Sequence, residues 1–307
     1  FAKEFGKTIK ASFADEPLIG TTGAYDAAQV ALPLSQYTIS EFQRRNRYDL
    51  VTNLPSLFAN VGEFRSVRFD YWQLIHDLWK ENFMQPLGDW CSKHRLMLTG
   101  HYMEHEWPAP FITPDDMSLY ACMQMPGIDL LITTLLKPDR RYEGYSLINV
   151  DSHMLLTMRM LLSVVNQLGK PRALSEMWGA GGWDSTIEDY KRIGDWALAH
   201  GVNFFNPHLS YVTVRGARKR DHPQSFSDHS AWWSEIKGLN DRIGRLSFIL
   251  SQGRMENRVL VLQPTTSAFL LAKLDKEAEK EFERMRKEHG ALVQTLCDNQ
   301  IDFDLGD

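Results

Sequence analysis

The feature that most constrains this chain is a recurrence. Five times, a short apolar run ends in polar, chemically capable residues and gives way to a loop and a helical pattern. The runs are residues 9–16 (IKASFADE, closed by Pro17), 95–101 (RLMLTGH, leading to Tyr102 and Glu104), 127–132 (GIDLLI), 172–176 (RALSE) and 202–208 (VNFFNPH). Apolar runs this short read as strands buried on both faces, the habit of parallel sheets. Helical periodicity lies between them, over residues 68–85, 153–168 and 185–200. The second of these stops at Gly169 and Pro171, and the third opens on Ser185 and Glu188 in a capping-box pattern. Strand–helix alternation predicts an α/β fold with right-handed crossovers.

Polar residues close strand after strand at the C-terminal edge, where the active sites of (β/α)8 TIM barrels are built. A doubly wound nucleotide-binding sheet would lead with G-x-G-x-x-G. That pattern is absent, and GAGGW at 179–183 has no phosphate-binding lysine. Five strands do not close a barrel of eight. The chain opens on Phe1 within FAKEFGKTIK, which reads as helix, and ends on the strand-like IDFDLGD, so both ends read as cut. Residues 1–253 are therefore expected to be the C-terminal part of a barrel, strands four to eight. The stretch 17–94 would hold an elaborated loop and a crossover helix, and 228–252 the final helix. A boundary is expected near Gly253–Asn257. Beyond it, RVLVLQP at 258–264, a charged helix over 273–298 and a strand near 301–304 predict the start of a second, flavodoxin-like α/β domain at 254–307.

Composition enters as a set of exclusions. A net charge of -5 leaves no basic footprint for nucleic acid, and no apolar stretch is long enough to span a membrane. Cys91, Cys122 and Cys297 are odd in number and far apart, which implies neither a disulfide framework nor a zinc site. That usage suits cytoplasm and large secreted bacterial enzymes alike; a periplasmic or secreted location is the reading adopted. Nine Trp, ten Tyr and sixteen Phe serve either a well-filled core or platforms on which sugar rings stack.

Glycoside hydrolysis needs two carboxyl groups across the scissile bond, one an acid and the other a base or nucleophile. Glu16 and Glu176 stand at the ends of the first and fourth runs, on strands four and seven if the count is right. Pro17 directs Glu16 and Asp15 out of the strand toward the barrel mouth. The loop His101-Tyr-Met-Glu104-His105-Glu106 is dense in polar groups, and His101, Asp15 and Glu104 are expected to meet substrate hydroxyls. Asn206, His208 and Tyr211 face the same mouth from the fifth run. Trp178 and Trp183 bracket the glycine run as sugar platforms or as core. Asp129, read as early in its strand, is set aside as a capping or paired residue. Arg215, Arg218, Lys219 and Arg220 read as a solvated loop.

At these motifs the chain resembles the barrel enzymes of glycoside hydrolase family 106, the α-L-rhamnosidases. The pieces that carry the resemblance include FADEP (13–17), RRNRYDLVTNLPSLF (44–58), LTGHYMEHE (98–106), MPGIDLL (125–131), LSEMWGAGGWD (174–184) and GVNFFNPHLSY (201–211). The run VLVLQPTTSAF also resembles the amidotransferase-like domain that follows the barrel in some β-galactosidases. Related hydrolases carry an acid/base on strand four and a nucleophile on strand seven, which the resemblance carries onto Glu16 and Glu176. Their strand-four motif is usually Asn-Glu, whereas Asp15 precedes Glu16 here, which leaves retention or inversion open. The resemblance implies an O-glycosyl hydrolase, with rhamnose the first choice of sugar and galactose or another hexose the second. Its substrate would be an oligosaccharide or glycoside. It implies no organic cofactor and no resident metal beyond a possible calcium. Two other readings remain open at this level: a non-catalytic carbohydrate-binding barrel, and a metal-dependent hydrolase built on His101, Glu104 and His105.

Overall fold

A computed structural model describes residues 1–19, 32–130, 150–220, 224–273 and 276–307, with the side chains of 150–153 and 276 outside the description. The five runs become strands β1 (Ala11–Ala14), β2 (Met97–Gly100), β3 (Met125–Leu130), β4 (Leu174–Met177) and β5 (Phe204–Pro207). They form one sheet in the order β1-β2-β3-β4-β5, every pair parallel. Sequential order with all pairs parallel is what consecutive βα units of a half-barrel produce. The end of the third run, Leu131 and Ile132, lies outside the described residues.

Between β1 and β2 come α1 (Gln36–Asn46), the single turns α2 (Leu50–Asn53) and α3 (Pro55–Phe58), α4 (Phe64–Trp79), a π-helical turn (Lys80–Met84) and α5 (Gln85–Lys93). In α4 the buried residues Val67, Tyr71, Leu74 and Ile75 recur at three-and-four spacing, so one stripe packs with Phe42, Leu50 and Leu57. Helix α6 (Asp116–Tyr120) lies between β2 and β3, α7 (Val150–Gln167) between β3 and β4, and α8 (Ile187–Ala199) between β4 and β5. After β5 comes α9 (Ile236–Leu250), then β6 (Val259–Leu262), α10 (Thr265–Leu271), α11 (Lys276–Asp298) and β7 (Phe303–Gly306). Strands β6 and β7 pair in parallel as a separate two-stranded sheet. Residues of α7 are buried nearly all round, because strand β3 covers one side while α11 and β7 cover the other. Among the described residues no helix is long and apolar enough to cross a membrane.

Several expectations are corrected. Residues 1–10 are not a helix: only a 3-10 turn forms over Ala2–Glu4, Gly6 turns left-handed at φ 73, and Phe1 is 98% exposed. The left-handed turn at Gly6 interrupts the helical path, and Phe5 and Ile9 pack on the core from a turn instead. The cap of α8 falls one residue later than expected, on Thr186, whose hydroxyl accepts from Asp189 N–H while the Asp189 carboxylate accepts from Thr186 N–H. The final helix begins at Ile236 rather than 228, because Trp232 leaves the helical path to pack against Tyr190 and Phe226. Strand β3 starts two residues earlier than its apolar run, which puts Asp129 near its C-terminal end instead of its beginning.

Candidate active site

The C-terminal edge of the five-stranded sheet carries the candidate residues. Asp129 of β3, Glu176 of β4 and Asn206 of β5 are direct register partners across the sheet. Side chains alternate along a strand, so partners in register project from the same face. Continuing the registers of β1, β2 and β3 sets Asp15 and His101 on that face as well. Glu16, the next residue, would point away by simple alternation. It sits at φ 46 in the left-handed region just ahead of Pro17, which breaks the alternation and re-aims it.

These side chains converge on one imidazole. His101 Nε2 and Glu176 Oε2 are 2.7 Å apart, Asp15 Oδ1 lies 3.5 Å from the same nitrogen, and His208 Nε2 is 3.8 Å from Glu176 Oε1. Potential ligand atoms of Asp15, His101 and Glu176 all lie within 4.8 Å of one another, as do those of Glu16, His101 and Asp129. His101 can reach this position because Gly100, at φ +128, lets β2 close onto the Ala14 carbonyl, where a Cβ would collide. The carbonyl of Ala14 in turn accepts from His101 N–H at 3.2 Å.

Burial alone would lower the His101 pKa. The hydrogen bond to Glu176 and the charges of Glu104, Asp129 and Glu176 outweigh it and hold the imidazole up to about 10. Its Nε2–H therefore donates to Glu176 Oε2 at neutral pH. Burial pushes the Asp129 carboxyl well above the usual carboxylate range, against the pull of His101, with the other acids adding to the rise. Glu104 is fully buried, and burial lifts it to about 7 against the opposing effects of His101 and of backbone N–H groups. Its Oε2 accepts from Tyr102 N–H at 2.8 Å and its Oε1 from Asp129 N–H at 2.7 Å. Expected to meet a substrate, Glu104 is instead tied to the main chain that carries His101 and Asp129.

The remaining candidates fall into two groups. His208 and the half-buried Asn206 border the cluster. Tyr211 is half-buried, with its N–H donating to Ser225 Oγ at 2.9 Å, and Trp183 is 40% exposed with its indole N–H on the Lys219 carbonyl at 2.7 Å. That bond ties Trp183 to the basic loop. Trp178 is core: it is 1% exposed and packed among Tyr190, Phe205 and Phe226. His105 and Glu104 join neither grouping around His101, so among the described residues the His101, Glu104 and His105 ligand set is not assembled.

Asp129 is the residue that the sequence reading missed. The available signal was an ionisable group inside an otherwise apolar, buried strand, a costly placement without a partner. Misplacing the start of β3 hid its position at the active edge.

Residues 25–280 match the family model of glycoside hydrolase family 106, described as alpha-L-rhamnosidase. A curated protein of Formosa agariphila, provisionally named a beta-glucuronidase, is 28% identical over 285 residues, 88% of this chain and 21% of its own length. Among solved structures, a rhamnosidase from a Novosphingobium species superposes with a TM-score of 0.57 at 22% identity, over 75% of this chain and 21% of that one. A beta-galactosidase from a Rahnella species gives 0.56 at 11% identity, over 88% of this chain and 41% of that one. The chain thus spans about a fifth of the length of the curated relative that it matches.

Proposed function

The chain belongs to glycoside hydrolase family 106, and on that footing we propose that it hydrolyses a terminal glycosidic bond at the cluster around His101. One observation carries this reading: Glu16 and Glu176, distant in sequence, both bring carboxylates to the same buried imidazole. Glu176, hydrogen-bonded through Oε2 to the His101 imidazole, acts as base or nucleophile. Glu16, exposed at the strand end and close to His101 and Asp129, acts as general acid. Asp129 keeps a proton on the buried side, and Asn206, His208 and Trp183 orient the sugar.

In this proposal the five strands are strands four to eight of a (β/α)8 barrel, and residues 254–307 begin a flavodoxin-like domain. Rhamnose is the preferred sugar. A glucuronide is disfavoured, because its carboxylate would enter a group of four acids, Asp15, Glu16, Asp129 and Glu176, gathered around His101. Those acids offer oxygen atoms of the kind calcium takes. Both groupings nevertheless centre on a nitrogen of His101, already hydrogen-bonded to Glu176, so the gathered residues do not fit calcium and no step is routed through it.

The test is turnover of nitrophenyl α-L-rhamnoside, β-D-galactoside and β-D-glucuronide by the intact protein and its Glu16→Gln and Glu176→Gln variants. Glu16→Gln is expected to keep the melting temperature within a few degrees, Glu176→Gln to lower it while leaving the protein folded, since it removes the acid paired with buried His101, and each to cut kcat by ~10²–10⁴-fold. Near-normal rates in both variants would overturn the assignment. Sugar binding without any turnover by the wild type would make the protein a carbohydrate-binding barrel. The stereochemistry of the product fixes the class, since retention requires carboxyl groups about 5 Å apart and inversion about 6.5–9.5 Å.

A further inference from the structure

Helix α11 touches the loop that leads out of β2. Arg286 Nε donates to the Trp107 carbonyl at 2.6 Å, and its Nη2 donates to the Glu106 carbonyl at 3.0 Å. One turn further along the helix, the His289 ring lies 5.5 Å from the ring of Trp107, which is 2% exposed. The two carbonyls stand at the C-terminal end of the 3-10 turn Glu104–Glu106, whose own closing bond runs from Trp107 N–H to the Glu104 carbonyl. The same turn presents the Glu104 carboxylate to the N–H groups of Tyr102 and Asp129. Hydrogen bonds at both ends of this short turn therefore connect α11 to the ends of β2 and β3, where His101 and Asp129 stand.

An arginine that merely stabilised the surface of α11 would pair with acids along its own helix, as Arg284 does with Glu281 and Glu288. Arg286 instead spends its planar fork on two successive main-chain carbonyls remote in sequence, a geometry that fixes the path of the backbone. We propose that Arg286 is a positioning residue: it holds the turn after β2 so that Glu104 can set His101 and Asp129 in their catalytic places. The consequence for activity rests on the glycosidase reading above; the mechanical link does not.

The test uses Arg286→Ala and Arg286→Lys in the intact protein, with Arg284→Ala as the control on the same helix. Hydrogen–deuterium exchange is followed in peptides covering 97–106 and 125–130, which contain the amides held by Glu104. In Arg286→Ala these peptides are expected to exchange ~10-fold faster while the rest of the chain is unchanged, the mark of local opening. On a substrate that the wild type turns over, kcat is expected to fall by ~10²-fold with little change in KM, as misplaced catalytic groups require. Arg286→Lys, which cannot serve both carbonyls with one fork, should fall between, and Arg284→Ala should match the wild type. Uniformly faster exchange across the chain, or wild-type exchange in both peptides, overturns the proposal. If Arg286→Ala does not fold, the lysine variant decides by the same two readings. A wild type inactive on every glycoside defeats the glycosidase reading alone, because exchange still tests the link.

Discussion

His101 carries a positive charge in a place 1% exposed, and only the acids around it make that tolerable. The pH dependence follows. Its folded pKa, about 10, lies above the ordinary 6.5. The stabilisation from its proton is therefore complete below pH 6.5 and fades as pH rises toward 10. Glu104, lifted from 4.5 to about 7, acts in the same direction over a lower window, since its proton is also bound more tightly in the folded state. Thermal melts are expected to drop by several degrees between pH 6.5 and 10, with a shallower slope in His101→Gln. A melting temperature that rises over that interval, or an unchanged slope in the variant, contradicts the pairing. The same neighbourhood shows what single residues reveal in sequence. Glu16 and Glu176 were legible because each closes an apolar run. The burial of Trp178 was not, because flanking glycines suit an exposed platform and a packed turn equally well.

Elements depend on details finer than periodicity. Strand β2 ends on Gly100, where φ +128 and the adjacent Ala14 carbonyl leave no room for a side chain. Gly100→Ala is expected to cost about 3 kcal/mol or more, since both the backbone conformation and the close approach oppose it. Urea denaturation measures that loss; a cost below about 1 kcal/mol would show that β1 and β2 separate easily. The existence of helices α4, α7 and α8 was readable from apolar spacing and that of α11 from its dense charges, but their ends were not. The one-residue shift of the α8 cap illustrates why: Ser185 and Thr186 are equally good caps, and the choice falls to the reciprocal bonds between Thr186 and Asp189.

At the scale of the molecule, the sequence suggests a break near Gly253–Asn257, yet the apolar core runs past it. Phe303, Leu305 and Val293 belong to the same cluster as Leu155, Leu161 and Tyr102. The join is also polar: Ser163 Oγ accepts from Leu305 N–H at 2.7 Å, and Asn166 donates to Asp304 at 2.8 Å. Phe303, 1% exposed, additionally lies 4.9 Å beneath the Arg159 guanidinium. Phe303→Ala is expected to remove about 3–5 kcal/mol and to lower the midpoint of one shared unfolding transition. Two resolved transitions, only one of them shifted, would show that residues beyond the boundary unfold independently of the five-stranded sheet.

The order of the strands and of the main helices between them, their parallel character and the edge on which polar chemistry collects could be read from local pattern, whereas the short helices between β1 and β2, α6 and α10 could not. Apolar period and strand-end residues are properties of neighbouring positions, which the chain expresses before it folds. Which acids meet was decided only in three dimensions. Inter-strand register aligned Asp129 with Glu176, the left-handed turn at Glu16 reversed its direction, and the packing of α11 placed Arg286 against the turn after β2. Each of these joins residues far apart in the chain, and no local pattern carries that information.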